Sequence, residues 1–133
     1  MLRISSLKKL VTDTMAIDLG TASTIIAVKG RGVVLDEPSL VAINEITEEI
    51  VAFGQEAGDM AGREGRDVVV RAPLIGGVVG DFERTKKMLA HFVKKARTGG
   101  SNLSLQAVMS MVSDVTQVEQ RALLNAAEES HIG

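Results

Sequence analysis

The sequence has no cysteine, tryptophan or tyrosine, and only three phenylalanines occur among its 133 residues. Without cysteine the chain forms no disulfide bond and offers no thiolate ligand to a metal ion. Its two histidines, His91 and His131, are isolated in the sequence and do not form a metal-binding motif. The scarcity of aromatic rings also argues against stacking on nucleic-acid bases.

A strong charge of one sign and a long apolar run are missing as well. Fifteen basic and 17 acidic side chains leave a net charge of -2, and no basic stripe marks a nucleic-acid surface, so we expect no nucleic-acid partner. No apolar run approaches the ~20 residues of a membrane-spanning helix. The basic N-terminus is not followed by the apolar region of a secretory signal. These absences predict a cytoplasmic protein of ordinary domain size.

The first 13 residues, MLRISSLKKLVTD, have the periodicity of a short amphipathic helix. One interpretation is a helix that lies in a membrane interface, with lysines reaching anionic head groups. The other is a frayed terminal helix packed on the domain. Under the first interpretation, the membrane-binding residues are Ile4, Leu7, Lys8, Lys9, Leu10 and Val11.

From residue 14 the pattern changes to strands and helices of a mixed α/β protein. Three glycine-punctuated strands predict an antiparallel meander, followed by a hairpin, a short helix at 55–62 and a strand that ends at Pro73. Asp81 is a predicted N-cap of a long amphipathic helix. The continuous apolar run at 105–112 predicts a strand covered on both faces. Thr116 then opens a last helix through a capping box.

Residues 16–24, AIDLGTAST, join an apolar strand to one acid and a turn of small and hydroxyl residues. The carboxylate of Asp18 can hold Mg²⁺ through water, because magnesium keeps several waters and takes few protein carboxylates. Gly20 allows the backbone to approach a phosphate, and successive amides can form an anion-binding nest. The stretch fits either a plain hairpin or a phosphate clamp, whose nucleotide-binding residues would be Asp18, Gly20, Thr21, Ala22, Ser23 and Thr24.

Four blocks of the sequence resemble the MreB family of bacterial actins. AIDLGTAST is similar to the family's first phosphate loop, with Ser23 in place of the usual asparagine. Residues 28–43 resemble the stretch that leads into the small inserted subdomain, and residues 71–96 resemble the entry to the first long helix. Residues 115–130 resemble the helix before the hydrolytic loop. The second and third blocks are specific, because the wider actin, Hsp70 and sugar-kinase superfamily shares the first block but not these two.

The resemblance implies an actin-like α/β fold, here a truncated first domain with a small inserted α+β subdomain. It divides the chain into an amphipathic N-terminal segment at 1–13, a large subdomain at 14–36 and 74–133, and the inserted subdomain at 37–73. It also implies ATP and Mg²⁺ as cofactors, with Asp18 holding Mg²⁺ through water. The implied role is in filaments under the inner membrane that control cell shape and cell-wall synthesis.

This sequence also differs from the pattern of the family. The sequence ends before the family's Glu-Glu-Pro loop, which positions the attacking water, and it lacks the second phosphate loop. Phosphoryl transfer depends mainly on positioning and charge stabilisation. We therefore expect these 133 residues by themselves to bind nucleotide weakly and to hydrolyse very little. Asp114 would add negative charge at a turn near the phosphates.

Two alternatives to the filament subunit stay open. The chain can be a non-catalytic interaction module that docks on a membrane or on full-length actin-like filaments, which predicts binding indifferent to nucleotide. It can also be a decayed paralogue without a stable fold, which predicts exposed apolar surface on the strand at 105–112.

Overall fold

A computed structural model describes residues 12–62, 65, 67–75, 78–79, 81–97, 104–111 and 116–129. The strands of this part of the chain are β1 (Thr12–Leu19), β2 (Ser23–Val28), β3 (Gly32–Pro38), β4 (Val41–Asn44), β5 (Ile50–Phe53), β6 (Val68–Arg71), β7 (Leu74–Ile75), β8 (Val78–Val79) and β9 (Ser104–Met111). Its helices are α1 (Gly54–Met60), α2 (Phe82–Ala96) and α3 (Gln117–Glu129). No described helix combines the length and the apolar character that a membrane span needs.

The larger sheet has four strands in the order β3-β2-β1-β9. β1 pairs antiparallel with β2, and β2 with β3, so the predicted meander is confirmed. β9 joins the other side of β1 in parallel, with Met15 opposite Ala107 and Asp18 opposite Ser110. A parallel neighbour requires a long crossover, and α2 lies within the chain that provides it.

The main core lies on one face of this sheet, against α2 and α3. Because side chains alternate along a strand, Met15, Ile17 and Leu19 of β1 all point into this core. The helix α2 begins where Asp81 accepts a hydrogen bond from the Arg84 N–H at 3.0 Å, as the predicted N-cap does. Its inward face is formed by Thr85, Met88, Leu89, Phe92, Val93 and Ala96.

Burial along β9 corrects the prediction of a strand covered on both faces. Leu105, Ala107 and Met109 are buried, whereas Gln106 and Val108 between them are exposed. Val108 has an exposed fraction of 67%. The apolar run indicated the strand correctly, but within the described residues only one face of the sheet is covered.

The second sheet has three strands in the order β5-β4-β6 and lies within the predicted inserted segment, residues 37–73. β4 is buried on both faces: Val41 and Ile43 belong to the main core, and Ala42 packs in a small cluster with Ala52 and Ala57. The predicted β4–β5 hairpin and the short helix α1 are both present. The division into subdomains itself stays a prediction.

One small element was not predicted from the sequence. β7 and β8 form an antiparallel pair of two residues each, just before α2. Several sequence-based expectations lie outside the described residues and are not tested by the structure. These are the membrane-binding residues Ile4, Leu7, Lys8, Lys9, Leu10 and Val11, and the expectation for Asp114.

Candidate functional site

The candidate site is the tight connection between β1 and β2, formed by residues 20–22 and called the β1–β2 turn from here on. The N–H of Gly20 donates to the carbonyl oxygen of Ser23 at 3.0 Å and closes the turn. A Cβ on Gly20 would lie 2.8 Å from that same oxygen, closer than a real Cβ approaches a backbone atom. Glycine is therefore required here by space.

Two backbone donors of this turn are unused within the described chain. The N–H groups of Thr21 and Ala22 donate to no described residue, although neighbouring groups of the turn are hydrogen-bonded. Ala22 is exposed, and Thr21 is half-buried. Since a backbone N–H needs an acceptor, two adjacent free donors at a solvent-facing turn suit an anion such as a phosphate.

Asp18 lies on the face of the large sheet opposite the main core. Alternation along β1 places its side chain outward, where it is exposed, while Ile17 and Leu19 point inward. Its carboxylate makes no hydrogen bond or ion pair with the described residues. An exposed single carboxylate two residues before the β1–β2 turn fits a magnesium ion held through water. No cluster of three or more metal-ligating side chains occurs in the described part of the chain.

The structure separates the hydroxyl residues of the motif. Thr21 and Ser23 are half-buried near the turn, but Thr24 is fully buried and faces the core side of β2. Its Oγ1 lies 2.8 Å from the Oγ of Ser39. The side chain of Thr24 is therefore not available to a nucleotide, and the sequence-based expectation for its hydroxyl is corrected.

Ser39 is a residue of this site that the sequence patterns did not identify. It is fully buried, and its Oγ donates to the carbonyl oxygen of Gly20 at 2.6 Å. Its N–H donates to the carbonyl oxygen of Ala22 at 3.0 Å. A single serine after a proline has no periodicity that would reveal such contacts.

Glu37 joins three elements two residues before Ser39. Its Oε2 lies 2.6 Å from the Nζ of Lys95 in α2, and its Oε1 accepts from the N–H of Gln55 at 2.9 Å. The N-cap residue of α1, Phe53, provides no side-chain hydrogen bond. Glu37 therefore satisfies one of the free N–H groups at the start of α1 and ties that helix to α2.

His91 is a second titratable group at this junction. Its ring stacks on Phe53 with a centroid distance of 4.5 Å, and its side chain is half-buried. Burial lowers the pKa of His91, against the opposing charge of Glu37. Burial acts to raise the pKa of Glu37, but the hydrogen bonds from Lys95 and Gln55 outweigh it and leave that pKa lowered.

Comparison with known proteins identifies close relatives of the chain. Residues 12–131 match the model of the family described as MreB/Mbl protein. The cell shape-determining protein Mbl of Bacillus subtilis (strain 168) is 42% identical over 116 residues, and the cell shape-determining protein MreB of Escherichia coli (strain K12) is 35% identical over 130 residues. These alignments cover 87% and 94% of this chain but 35% and 38% of the relatives. The chain thus spans just over a third of their length.

Solved structures give the same fold. MreB5 of Spiroplasma citri bound to ADP superimposes with a TM-score of 0.73 at 34% identity, over 90% of this chain and 35% of that one. The same protein bound to AMPPNP gives a TM-score of 0.72. MamK in a double helical filament gives 0.70 at 24% identity, which shows the fold alone. The actin-like fold expected from the sequence is confirmed.

Proposed function

Because this chain belongs to the MreB/Mbl family, we propose that it forms the first part of an actin-like filament protein and supplies the first phosphate contact to a bound ATP. The observation that carries this proposal is the β1–β2 turn. Gly20 has no room for a Cβ, and the N–H groups of Thr21 and Ala22 are free within the described chain. The similarity to MreB5, which has been solved with ADP and with AMPPNP, supports a nucleotide as the ligand.

Each residue of the motif then has a separate task in binding. The Thr21 and Ala22 amides would donate to phosphate oxygens, and half-buried Ser23 would add a hydroxyl at the edge of the β1–β2 turn. Asp18 would hold Mg²⁺ through water on the outer face of the sheet. When bound, the ion would neutralise phosphate charge. The group that positions the attacking water belongs, in this family, to a loop beyond the segment matched here.

We further propose that the three-stranded sheet contributes to contacts between filament subunits. Its β4–β5 hairpin carries two exposed apolar side chains, Ile46 at 74% and Val51 at 49% exposure. A neighbouring subunit that covered these side chains would remove their apolar area from water, which favours association. Filaments assembled this way would serve cell shape, as the names of the curated relatives state for those proteins.

A cytoplasmic position at the inner membrane is the proposed location. It is supported by the basic and apolar pattern of residues 1–13, which resembles an interfacial helix. Lysines of this segment would face anionic lipid head groups, while its apolar stripe enters the interface. A full-length actin-like paralogue in the same filament is a further proposed partner.

Asp18→Ala tests the nucleotide site. In the whole protein that carries this chain, we expect the variant to bind Mg-AMPPNP at least ~10-fold more weakly and to lose nucleotide-dependent assembly. In the 133-residue chain alone we expect little change, since half a clamp binds weakly. Isothermal titration calorimetry and light scattering measure the two effects. Asp59→Ala is the matched control, because Asp59 is an exposed carboxylate on α1.

The outcome also separates the two candidate functions. Binding to filaments or lipid vesicles that is indifferent to nucleotide, with Asp18→Ala equal to wild type, would support the non-catalytic interaction module instead. Strong ATP turnover by the 133-residue chain that depends on Asp18 would contradict the assignment of hydrolysis to another part of the family's fold.

A further inference from the structure

We propose that Ser39 is a positioning residue for the β1–β2 turn, which it orients so that the N–H of Thr21 points toward a bound phosphate. This inference rests on the proposed function, because it concerns the same turn. Ser39 would not touch the nucleotide itself, since its side chain is fully buried.

Ser39 holds the β1–β2 turn at both ends. Its Oγ donates to the carbonyl oxygen of Gly20 at 2.6 Å, and its N–H donates to the carbonyl oxygen of Ala22 at 3.0 Å. The only other backbone bond of the turn among the described residues runs from the Gly20 N–H to Ser23 at 3.0 Å. Two of these three contacts therefore come from one residue.

Because the peptide bond is planar, the contact of Ser39 with the Gly20 carbonyl also fixes the direction of the Thr21 N–H. The carbonyl of Gly20 and the N–H of Thr21 belong to one peptide unit, and no described peptide bond is cis. In a trans peptide the C=O and N–H point in opposite directions. Because the Gly20 carbonyl points to buried Ser39, the Thr21 N–H must point away from the core. Ser39 therefore orients the Thr21 N–H, the donor that the proposed phosphate site needs, through a contact on the core side of the turn.

Proton counting gives the direction of the buried hydrogen bonds. A carbonyl oxygen can only accept, so the single hydroxyl hydrogen of Ser39 goes to Gly20. The contact of 2.8 Å between Ser39 Oγ and Thr24 Oγ1 then requires Thr24 to donate. Thr24 supports Ser39, and Ser39 supports the turn. Because Ser39 contacts the turn directly and Thr24 acts only through Ser39, we expect the loss of Ser39 Oγ to weaken nucleotide binding more than the loss of Thr24 Oγ1.

The test is Ser39→Ala in the whole protein, measured with and without nucleotide. We expect Mg-AMPPNP to bind ~10-fold more weakly. Without nucleotide, the amide resonance of Thr21 should shift in the ¹H–¹⁵N spectrum and its hydrogen exchange should change, because its peptide unit has lost its anchor. Ser39→Cys keeps a weak donor at the same position and should give an intermediate affinity. Thr24→Val should have a smaller effect than Ser39→Ala.

Thr85→Val is the matched control for a general loss of stability. Thr85 is also fully buried and donates its hydroxyl to a backbone carbonyl, that of Asp81 at 2.7 Å. It should lower the Tm without changing AMPPNP affinity or the Thr21 resonance. Equal effects of Thr85→Val and Ser39→Ala on affinity would overturn the positioning role, as would an unshifted Thr21 resonance in Ser39→Ala.

The nucleotide-free measurement keeps this inference separate from the proposed function. A wild-type protein that fails to bind AMPPNP overturns the function and with it the purpose of the turn. A wild-type protein that binds, together with a Ser39→Ala variant that binds equally well, overturns the inference alone. If Ser39→Ala does not fold, Ser39→Cys replaces it, and its AMPPNP affinity and Thr21 amide resonance are compared with those of wild type.

Discussion

Gly20 is the residue whose size limits the β1–β2 turn most directly. A Cβ there would lie 2.8 Å from the Ser23 carbonyl oxygen, so the turn must open to accept Gly20→Ala. We expect the variant to lose at least ~10-fold in Mg-AMPPNP affinity, measured by calorimetry. In Gly58→Ala the new Cβ would meet its nearest neighbour at 3.6 Å inside α1, so this control should bind normally and gain up to ~1 kcal/mol in stability.

His91 gives the junction between α1 and α2 a dependence on pH. The pKa of His91 is lowered by burial, so the unfolded chain takes up the proton at a higher pH than the folded chain. The free energy of unfolding therefore falls as the pH drops from about 7 to about 5. We expect His91→Gln to make that fall shallower in urea denaturation.

A parallel pH profile in His91→Gln and wild type would contradict the role of His91. Glu37 also has a lowered pKa, but it changes the free energy of unfolding in a different pH range. A carboxyl with a lowered pKa stabilises the fold at higher pH and loses that effect only as the pH falls through the acidic range of carboxyl titration. The contributions of His91 and Glu37 therefore occupy different pH windows.

The positions of individual residues show which members of the candidate site could be identified from the sequence. The motif residues Asp18 and Gly20 could be identified because an acid and a glycine at a strand end have a direct chemical interpretation. Thr24 was assigned to the same group, yet alternation along β2 places it on the inward face with Ile26 and Val28. Ser39 could not be found, because its two contacts depend on how β3 approaches the β1–β2 turn.

At the scale of elements, Glu37 is the side chain that connects β3, α1 and α2. Glu37→Gln keeps an acceptor for the Gln55 N–H but removes the charge that pairs with Lys95. Lys95 is about half exposed, so screening weakens the pair, and we expect a loss of about 1–2 kcal/mol in the free energy of unfolding. Urea denaturation at neutral pH measures this loss.

The surface pair of Glu45 and Arg71 provides the comparison for Glu37. Their charged groups lie 3.5 Å apart with both side chains more than half exposed. We expect Glu45→Gln to cost less than ~0.5 kcal/mol. Equal losses from Glu37→Gln and Glu45→Gln would mean that burial of Glu37 adds nothing to its ion pair.

Periodicity in the sequence predicted which segments form strands and which form helices. It did not predict which faces of these elements are buried. The meander, the β4–β5 hairpin, the N-cap of α2 and the capping box at Thr116 agree with the patterns, and Glu119 N–H donates to Thr116 Oγ1 at 3.1 Å. The apolar run of β9 could not reveal which of its faces is covered. The pair β7–β8 is too short for any pattern to indicate.

For the whole molecule, the fold class was predictable because local patterns and the family resemblance agreed. The two sheets and their order were harder, since pairing β1 with β9 joins residues from opposite ends of the described chain. The described residues leave one face of the large sheet open, with Asp18 and Val108 exposed on it.

The position of β1 at the centre of the large sheet also determines the order of events on the ribosome. β1 is the first described strand to be synthesised, and it can pair with β2 as soon as the hairpin has emerged. Its other neighbour, β9, and the helices α2 and α3, which pack on the core face of the sheet, are made later. While the residues between β2 and β9 are being synthesised, the nascent chain therefore carries an incomplete sheet, and the burial of its first strand waits for segments that lie roughly 70 to 90 residues further along the chain.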